Sequence, residues 1–385
     1  MKKNTFYLFT LLTLISGSAF SQKTIEITNQ YPFDRINEMV EVKATDFGGI
    51  KAANFILKDE NSQEVPYQLI YSGKPTPQSV VFPVTVKTGT KVVYTITDGK
   101  PATVVAKTFA RFVPERKDDF AWENDLAAYR MYGPALIAEN PSNGVDLWLK
   151  RTDELVVDSF YRGELKYGKS YHVDHGQGLD LYKVGKTLGA GGVAPYTDST
   201  LWIGSHFNSY KVLENGPLRS VFTLTYDTVN IKGKIYKQEL KITVDAGSVL
   251  NKAVVKYTGE KQTMQLAAGI TLHDGKGKLQ KGTGMIIYGE EAVSNNNIAS
   301  GQNFVSVVLP VKETAYKVQD LHALLISNYV PGTEFTYYFG GGWSEWKFPT
   351  QKDWLTAVQQ FSKQVKYPLS VKVLLVPPTK APVTK

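Results

Sequence analysis

The chain has 385 residues, of which 42% are hydrophobic and 21% charged, and it contains no cysteine. This length is enough for two domains, and the lack of cysteine excludes disulfides, thiolate metal sites and a lipoprotein anchor. The formal net charge of +8 favours polyanionic ligands, but the basic residues are spread along the chain and no nucleic-acid-binding motif is present.

The first 21 residues have the pattern of a cleaved signal peptide. A short basic start precedes an apolar run from Phe6 to Ile15, and small residues lead up to Gln22. This order of basic, apolar and small residues is typical of export signals, and the apolar run is too short to span a bilayer. We expect a soluble periplasmic or secreted protein that begins near Gln22 and does not associate with a membrane.

Residues 22–110 predict a small β-sandwich. Short runs such as "EVPYQLIY" and "KVVYTITDG" are rich in β-branched and aromatic residues, and Gly, Pro, Asn and Asp separate them. Such spacing is typical of antiparallel strands joined by tight turns.

Residues 111–378 predict a large antiparallel β-sandwich, and 379–385 form a polar tail. Apolar and polar residues alternate in runs such as "FTLTY" at 222–226, as in half-buried strands. One helix is expected near the end, where Trp354, Val358 and Phe361 share a face. The predicted fold is therefore all-β: a small N-terminal sandwich followed by a larger, supersandwich-like one with few helices.

The stretch "YHVDHGQGLDLY" at 171–182 contains two of the five histidines of the chain. His172 and His175 flank Asp174, and the glycines that follow indicate that a strand breaks here. Paired imidazoles in a loop favour a functional role. A polar turn and a divalent metal site both remain open as alternatives.

Five further residues are candidates for substrate binding. Arginine suits a carboxylate held by two hydrogen bonds, and exposed aromatic rings stack on sugar faces. The candidates are Arg116, Trp122, Arg130, Lys150 and Trp343.

Several established catalytic patterns are absent. The glycine-rich stretch at 183–196 lacks dinucleotide or P-loop spacing, and there is neither a G-x-S-x-G elbow nor an H-E-x-x-H motif. No cofactor is expected, although a divalent metal is not excluded.

Three blocks carry a resemblance to a known family: "PERKDDFAWENDLAAYRMYGPAL", "YHVDHGQGLDLYKVGKTLGAGG" and "NGPLRSVFTLTYD". They resemble exported Bacteroidetes proteins classed as a domain of unknown function, which occur with genes for degrading pectin and ulvan. The resemblance implies an ulvan-oligosaccharide dehydratase. Its substrate would be an acidic oligosaccharide with glucuronic or iduronic acid linked to sulfated rhamnose, and its product a 4,5-unsaturated uronic acid.

Removing water in this way requires three groups. A cation must neutralise the uronate carboxylate, a base must take the C5 proton, and an acid must protonate the departing C4 hydroxyl. Arg116 and Arg130 are candidates for the first role, and His172 and His175 for the other two. Asp174 would orient one imidazole, and Tyr182 is a reserve proton donor.

Two other classes of function fit the same residues. A polysaccharide lyase or an epimerase would begin with the same proton abstraction. A non-catalytic protein that binds acidic glycans would need the cations and aromatic rings but no histidine pair.

Overall fold

The computed structural model describes residues 22–47, 54–139, 144–294, 299–311 and 314–376. The predicted signal peptide at 1–21 and the tail at 379–385 lie outside these ranges. No helix within them is long and apolar enough to cross a membrane.

The N-terminal strands form two small facing sheets. They are β1 Gln22–Thr28, β2 Arg35–Lys43, β3 Phe55–Lys58, β4 Gln68–Ile70, β5 Ser79–Val86 and β6 Lys91–Asp98. One sheet contains β1, β6 and β3 in that order, and the other contains β2, β5 and β4. Alternate residues such as Ile25, Val40 and Phe82 point inward and form one apolar core, as expected for strands with one buried face.

A five-stranded antiparallel sheet and a helix follow. They are β7 Thr108–Val113, β8 Asp119–Asn124, β9 Ala127–Met131, β10 Asp146–Lys150, α1 Val157–Tyr167 and β11 Gly178–Asp180. Helix α1 ends at Gly168, which has a left-handed φ of 61°, a conformation that glycine adopts without strain. Phe160 and Tyr161 of α1 pack against Trp148 on the outer face of the sheet.

The remaining strands form a second five-stranded sheet and one eight-stranded sheet. They are β12 Gly192–Thr197, β13 Thr200–Leu201, β14 Phe207–Asn215, β15 Arg219–Ile231, β16 Lys234–Asp245, β17 Asn251–Gly259, β18 Met264–Thr271, β19 Lys278–Gly282, β20 Met285–Val293, β21 Ala299–Val308, β22 Ala315–Gln319, β23 His322–Tyr329 and β24 Phe335–Trp343. The eight-stranded order is β14-β15-β16-β17-β24-β21-β20-β19, and the second five-stranded order is β13-β12-β18-β23-β22.

Both five-stranded sheets pack on the same face of the eight-stranded sheet. One continuous apolar core joins Trp122 of the first, Ile270 of the second, and Phe222 and Phe339 of the large sheet. The all-β prediction is thereby confirmed, and the architecture is a sandwich of one wide sheet against two narrower ones.

The last two elements of the described residues are α2 Gln351–Lys366 and β25 Ser370–Val376. Thr350 and Asp353 form a reciprocal capping box at the start of α2, and Trp354 and Val358 lie on its buried face, as the sequence predicted. Strand β25 then pairs with β1 along its whole length. The two sandwiches are therefore not consecutive segments, as the boundaries 22–110 and 111–378 implied, because residues 370–376 complete the first one.

Candidate active site

A buried charge network lies on the outer face of the first five-stranded sheet. Arg130 of β9 is opposite Asp146 of β10 in register, and because side chains alternate along strands, both project to the same face. The Arg130 guanidinium is 2% exposed. Its Nε donates to Asp146 Oδ2 at 2.9 Å and its Nη2 to Asp180 Oδ2 at 2.9 Å.

Aromatic rings enclose this arginine. Its guanidinium carbon lies 4.8 Å from the ring centre of Tyr132, 5.2 Å from Trp148 and 5.6 Å from Tyr171. The carboxylates and rings together leave Arg130 little capacity for a further anion. The structure thus corrects the expectation that Arg130 binds the substrate carboxylate, because its guanidinium already binds the carboxylates of Asp146 and Asp180.

Two carboxyl groups beside Arg130, those of Asp119 and Asp180, have raised pKa values. Burial raises the pKa of Asp119 to about 6, although Arg130 and Arg116 pull in the opposite direction. Burial and the neighbouring Asp146 raise the pKa of Asp180 well above its ordinary value. The cause is that these carboxylates share few cations in a space from which water is excluded.

Arg116 differs from Arg130 in having unused hydrogen-bonding capacity. It ends the short 3-10 turn Pro114–Arg116, which follows β7. Its Nε donates to the Tyr171 hydroxyl at 3.3 Å, whereas its Nη1 is buried and has no hydrogen-bond partner among the described residues. A buried, unpaired guanidinium nitrogen is costly, and an anionic ligand would satisfy it.

The structure separates the two histidines of the 171–182 stretch. Both residues are exposed. His172 Nδ1 lies 2.9 Å from the main-chain oxygen of Asp180, and His175 Nε2 lies 3.1 Å from the main-chain oxygen of Ser170. Asp174 accepts hydrogen bonds from the main-chain nitrogens of Gly176 and Gly178. Asp174 therefore shapes the turn, and the expectation that it orients an imidazole is corrected.

Two adjacent cavities open beside this network. The smaller, about 430 Å³, is lined by Arg116, Arg130, Tyr132, His172, Asp180 and Tyr182, among others. The larger, about 620 Å³, is lined by Tyr182, Lys183, His273, Glu290 and Asn303, among others. Residues 181–183 line both cavities, so the two form neighbouring parts of one cleft. Both volumes are within the usual range for ligand sites.

The smaller cavity brings together predicted residues that are far apart in sequence. Arg116, His172 and Tyr182 all line it. Burial raises the pKa of the Tyr182 phenol well above its ordinary value, so the phenol keeps its proton near neutrality.

Three predicted substrate-binding residues are buried elsewhere. Trp122 is 0% exposed and packs in the central core, and Trp343 is 3% exposed with its Nε1 donating to Ser300 O at 2.6 Å. Lys150 is buried in an ion pair with Glu123 at 2.9 Å. None of the three presents a free surface to a sugar, so these assignments are corrected.

The sequence analysis missed His273, which lies just after β18. Its backbone has a left-handed φ of 45°, a conformation that residues other than glycine seldom adopt. Its Nδ1 lies 2.6 Å from Glu290 Oε1 and its Nε2 lies 2.7 Å from Lys183 O. Its only signal in the sequence is a histidine in a turn, "LHDG", directly after an apolar strand.

Within the described ranges, no cluster of three or more His, Asp or Glu side chains has an arrangement that could hold a metal ion. The candidate metal ligands from the sequence were His172, Asp174 and His175. Their side chains make hydrogen bonds to the main chain instead.

Comparison with known proteins identifies the family. Residues 27–371 match the family described as domain of unknown function DUF4861. The chain belongs to this family. It is also 32% identical over 277 residues to the uncharacterized protein P7 of Formosa agariphila, a match that covers 69% of each protein. The membership expected from the three sequence blocks is confirmed, whereas the dehydratase activity stays a prediction.

Solved structures share the fold at very low sequence identity. A protein of glycosyl hydrolase family 38 from Enterococcus faecalis has a TM-score of 0.51 at 8% identity, covering 94% of this chain and 49% of its own. An alpha-mannosidase from the same species has a TM-score of 0.48 at 8% identity, covering 94% and 47%. The chain thus spans about half the length of these structures, and at this identity the likeness concerns the fold alone.

Proposed function

We propose that the cleft binds acidic oligosaccharides and that the smaller cavity removes water from a uronic acid at the non-reducing end. The observation that carries this proposal is the pairing, in one cavity, of His172 with an Arg116 guanidinium whose Nη1 has no partner among the described residues. A carbohydrate ligand also agrees with the occurrence of this fold in a glycosyl hydrolase family 38 protein.

Arg116 would bind the uronate carboxylate. Removing the C5 proton places negative charge beside that carboxylate, so a guanidinium there stabilises the transition state more than the ground state. Arg116 suits this role better than Arg130, whose guanidinium is already bound by Asp146 and Asp180.

His172 would act as the base. Because its Nδ1 faces a carbonyl oxygen, Nδ1 carries the proton and Nε2 has the free lone pair. In the step, Nε2 takes the C5 proton, the electrons of the C5–H bond form the C4–C5 double bond, and the C4–O bond breaks.

Tyr132 would donate the proton that turns the departing hydroxide into water. Burial and the neighbouring Asp146 raise the pKa of Tyr132 well above its ordinary value. Arg130 acts in the opposite direction, because its Nη2 donates to the Tyr132 hydroxyl at 3.4 Å, and this cation would partly stabilise the phenolate left behind. The proton held by His172 then returns to the phenolate through solvent, which restores both groups. Tyr182, the donor considered from the sequence, lines the same cavity but has no hydrogen bond from a guanidinium among the described residues.

The test uses oligosaccharides with a saturated uronic acid at the non-reducing end. We expect the loss of one water by mass spectrometry, together with ultraviolet absorbance from a carboxylate conjugated to a C4–C5 double bond. A lyase would produce the same absorbance with cleavage of the chain, and an epimerase would change neither mass nor absorbance. Binding without any product over long incubation would identify a glycan-binding protein and contradict the proposal.

We further propose that the protein acts in the periplasm or outside the cell, on the basis of the signal-like pattern that precedes Gln22. Sequencing the N-terminus of the protein purified from its native host should place the first residue near Gln22. Retention of Met1 would contradict this.

A further inference from the structure

We propose that the larger cavity is a binding subsite for the sugar that follows the uronic acid, and that it recognises a ring hydroxyl through Asn303. This inference rests on the proposed function for the orientation of the ligand. The binding argument itself depends only on the residues of the cavity.

The two cavities are placed to hold neighbouring sugar units. Leu181, Tyr182 and Lys183 line both of them, so a ligand that crosses this shared segment contacts both. A uronic acid held by Arg116 in the smaller cavity would direct the sugar attached to it past Tyr182 into the larger one.

Asn303 gives the larger cavity an unsatisfied acceptor. The residue is 5% exposed, and its Nδ2 donates to Glu290 Oε1 at 3.3 Å. Because a carboxylate accepts hydrogen bonds, this contact fixes which end of the amide is the NH₂ group. The Oδ1 atom is left buried, without a donor among the described residues. A sugar hydroxyl supplies the missing donor.

Glu290 holds Asn303 in place, and His273 in turn holds Glu290. The imidazole of His273 has no free proton acceptor. Both ring nitrogens of His273 face acceptor oxygens, at 2.6 and 2.7 Å, so both carry protons and the ring is an imidazolium. Unlike His172, this histidine has no lone pair with which to remove a proton. The larger cavity is therefore suited to binding, and the chemistry belongs to the smaller one.

The left-handed backbone at His273 supports a functional role. Such a conformation is strained for a residue other than glycine and persists where the surroundings enforce it. Here it carries the imidazole to Glu290, which in turn orients Asn303.

The experiment compares a short and a long substrate. Methyl β-D-glucuronoside fills only the smaller cavity, and a disaccharide with glucuronic acid at its non-reducing end reaches both. We expect the wild-type protein to favour the disaccharide by about ten-fold or more in kcat/KM, as for one or two added hydrogen bonds. Asn303→Ala should lower that preference by about five- to ten-fold and leave turnover of the methyl glycoside within about two-fold.

Two variants serve as controls. Asn328→Ala removes a similar side chain from an exposed position on β23, and it should change neither substrate. Asn303→Ser keeps a short hydrogen-bond acceptor and should retain part of the preference. This partial retention would show that the loss in Asn303→Ala does not come from misfolding. Equal turnover of both substrates by the wild type, or an equal loss for both in the two Asn303 variants, would overturn the subsite.

Failure of the proposed function gives a different result. If the wild type converts neither substrate, the dehydratase proposal falls, and calorimetric binding of the same two compounds then decides the subsite. The subsite is supported if the wild type binds the disaccharide more tightly than the methyl glycoside and Asn303→Ala removes this difference. Equal binding of the two compounds by the wild type would refute the subsite.

Discussion

The imidazole of His172 is tied to the main chain of Asp180, with its Nδ1 2.9 Å from the carbonyl oxygen. The carboxylate of the same Asp180 binds Arg130 at 2.9 Å. One residue thus fixes the tautomer of the histidine through its backbone and holds the buried arginine through its side chain. His172 also lines the smaller cavity with Arg116, whereas His175 is not among the residues that line it, so His172 is the better candidate for the base.

Replacing the two histidines should separate their roles. His172→Ala should lower kcat by about 10²–10⁴-fold, the usual contribution of a general base, and leave oligosaccharide binding largely intact. His175→Ala is the matched control from the same turn and should stay within a few-fold of the wild type. Steady-state kinetics with the ultraviolet assay makes the comparison. Wild-type rates for His172→Ala would refute its assignment as the base.

Arg116 should matter for the carboxylate of the substrate. Arg116→Ala should lower kcat/KM by about 10²–10³-fold, as for the loss of one charged donor at a developing anion. Arg116→Lys should recover part of this, because it keeps the charge and loses the planar fork. Binding of an oligosaccharide whose carboxyl group has been reduced to an alcohol should be equal in all three proteins. Weaker binding of this reduced oligosaccharide by an Arg116 variant would indicate a general folding defect.

Two tyrosines line the smaller cavity, and the structure distinguishes them as proton donors. Tyr132→Phe removes the hydroxyl next to Arg130 and should lower kcat by about 10²-fold or more. Tyr182→Phe should cost less than ten-fold, because no guanidinium of the described residues donates a hydrogen bond to its hydroxyl. A larger effect for Tyr182→Phe in the same kinetic assay would exchange their roles.

Arg130 should contribute strongly to stability, in addition to its proposed effect on Tyr132. Arg130→Ala leaves buried carboxylates without their cation, which typically costs about 3–5 kcal/mol in the free energy of unfolding. Arg111→Ala is a suitable control, since Arg111 pairs with the exposed carboxylates of Glu115 and Asp158 and should cost less than about 1 kcal/mol. Denaturant titration measures both. Similar values for the two variants would show that the Arg130 network is not stabilising.

The ion pair between His273 and Glu290 should make stability depend on pH. Burial alone lowers the pKa of His273, but its hydrogen bond and charge interaction with Glu290 outweigh this and raise the pKa above 6.5. A raised histidine pKa stabilises the folded state fully below the unfolded pKa, and this contribution is lost as pH rises through the folded pKa. The melting temperature of the wild type minus that of His273→Gln should therefore be largest below about pH 6.5, the ordinary pKa of histidine, and shrink as the pH rises above it. A difference that does not change with pH would contradict a charged His273.

The elements with clear periodicity were predictable from the sequence. The alternation at 222–226 lies in β15, where Phe222 and Leu224 are buried, and the apolar face of α2 is where the spacing placed it. Helix α1 was not anticipated, because its buried residues on one face are few: Val157, Phe160 and Tyr161. The pairing of β25 with β1 joins residues more than 340 positions apart, and no local pattern specifies such a partner.

The candidate site was predictable only where loops carry it. Arg116 and His172 lie in turns, and both reach the cavity. Trp122 and Lys150 lie in strands, where alternation shows which residues share a face but does not show what covers that face. In this fold α1 covers the outer side of the sheet around Lys150, and the large sheet covers the side of Trp122. His273 depends on Glu290 and Lys183, which lie 17 and 90 positions away, so its own surroundings in the sequence do not reveal it.

The pairing of β1 with β25 also has a consequence for the order in which the protein is made. Residues 22–28 leave the ribosome long before residues 370–376, so the edge of β1 that faces away from β6 stays without its partner until β25 has been made. An unpaired strand edge is a template for association with other chains. The larger sandwich lies between these two strands in the sequence and can assemble before the smaller one is closed. The smaller sandwich, although most of its strands precede the larger one in the sequence, therefore reaches its final form only after β25 has been made.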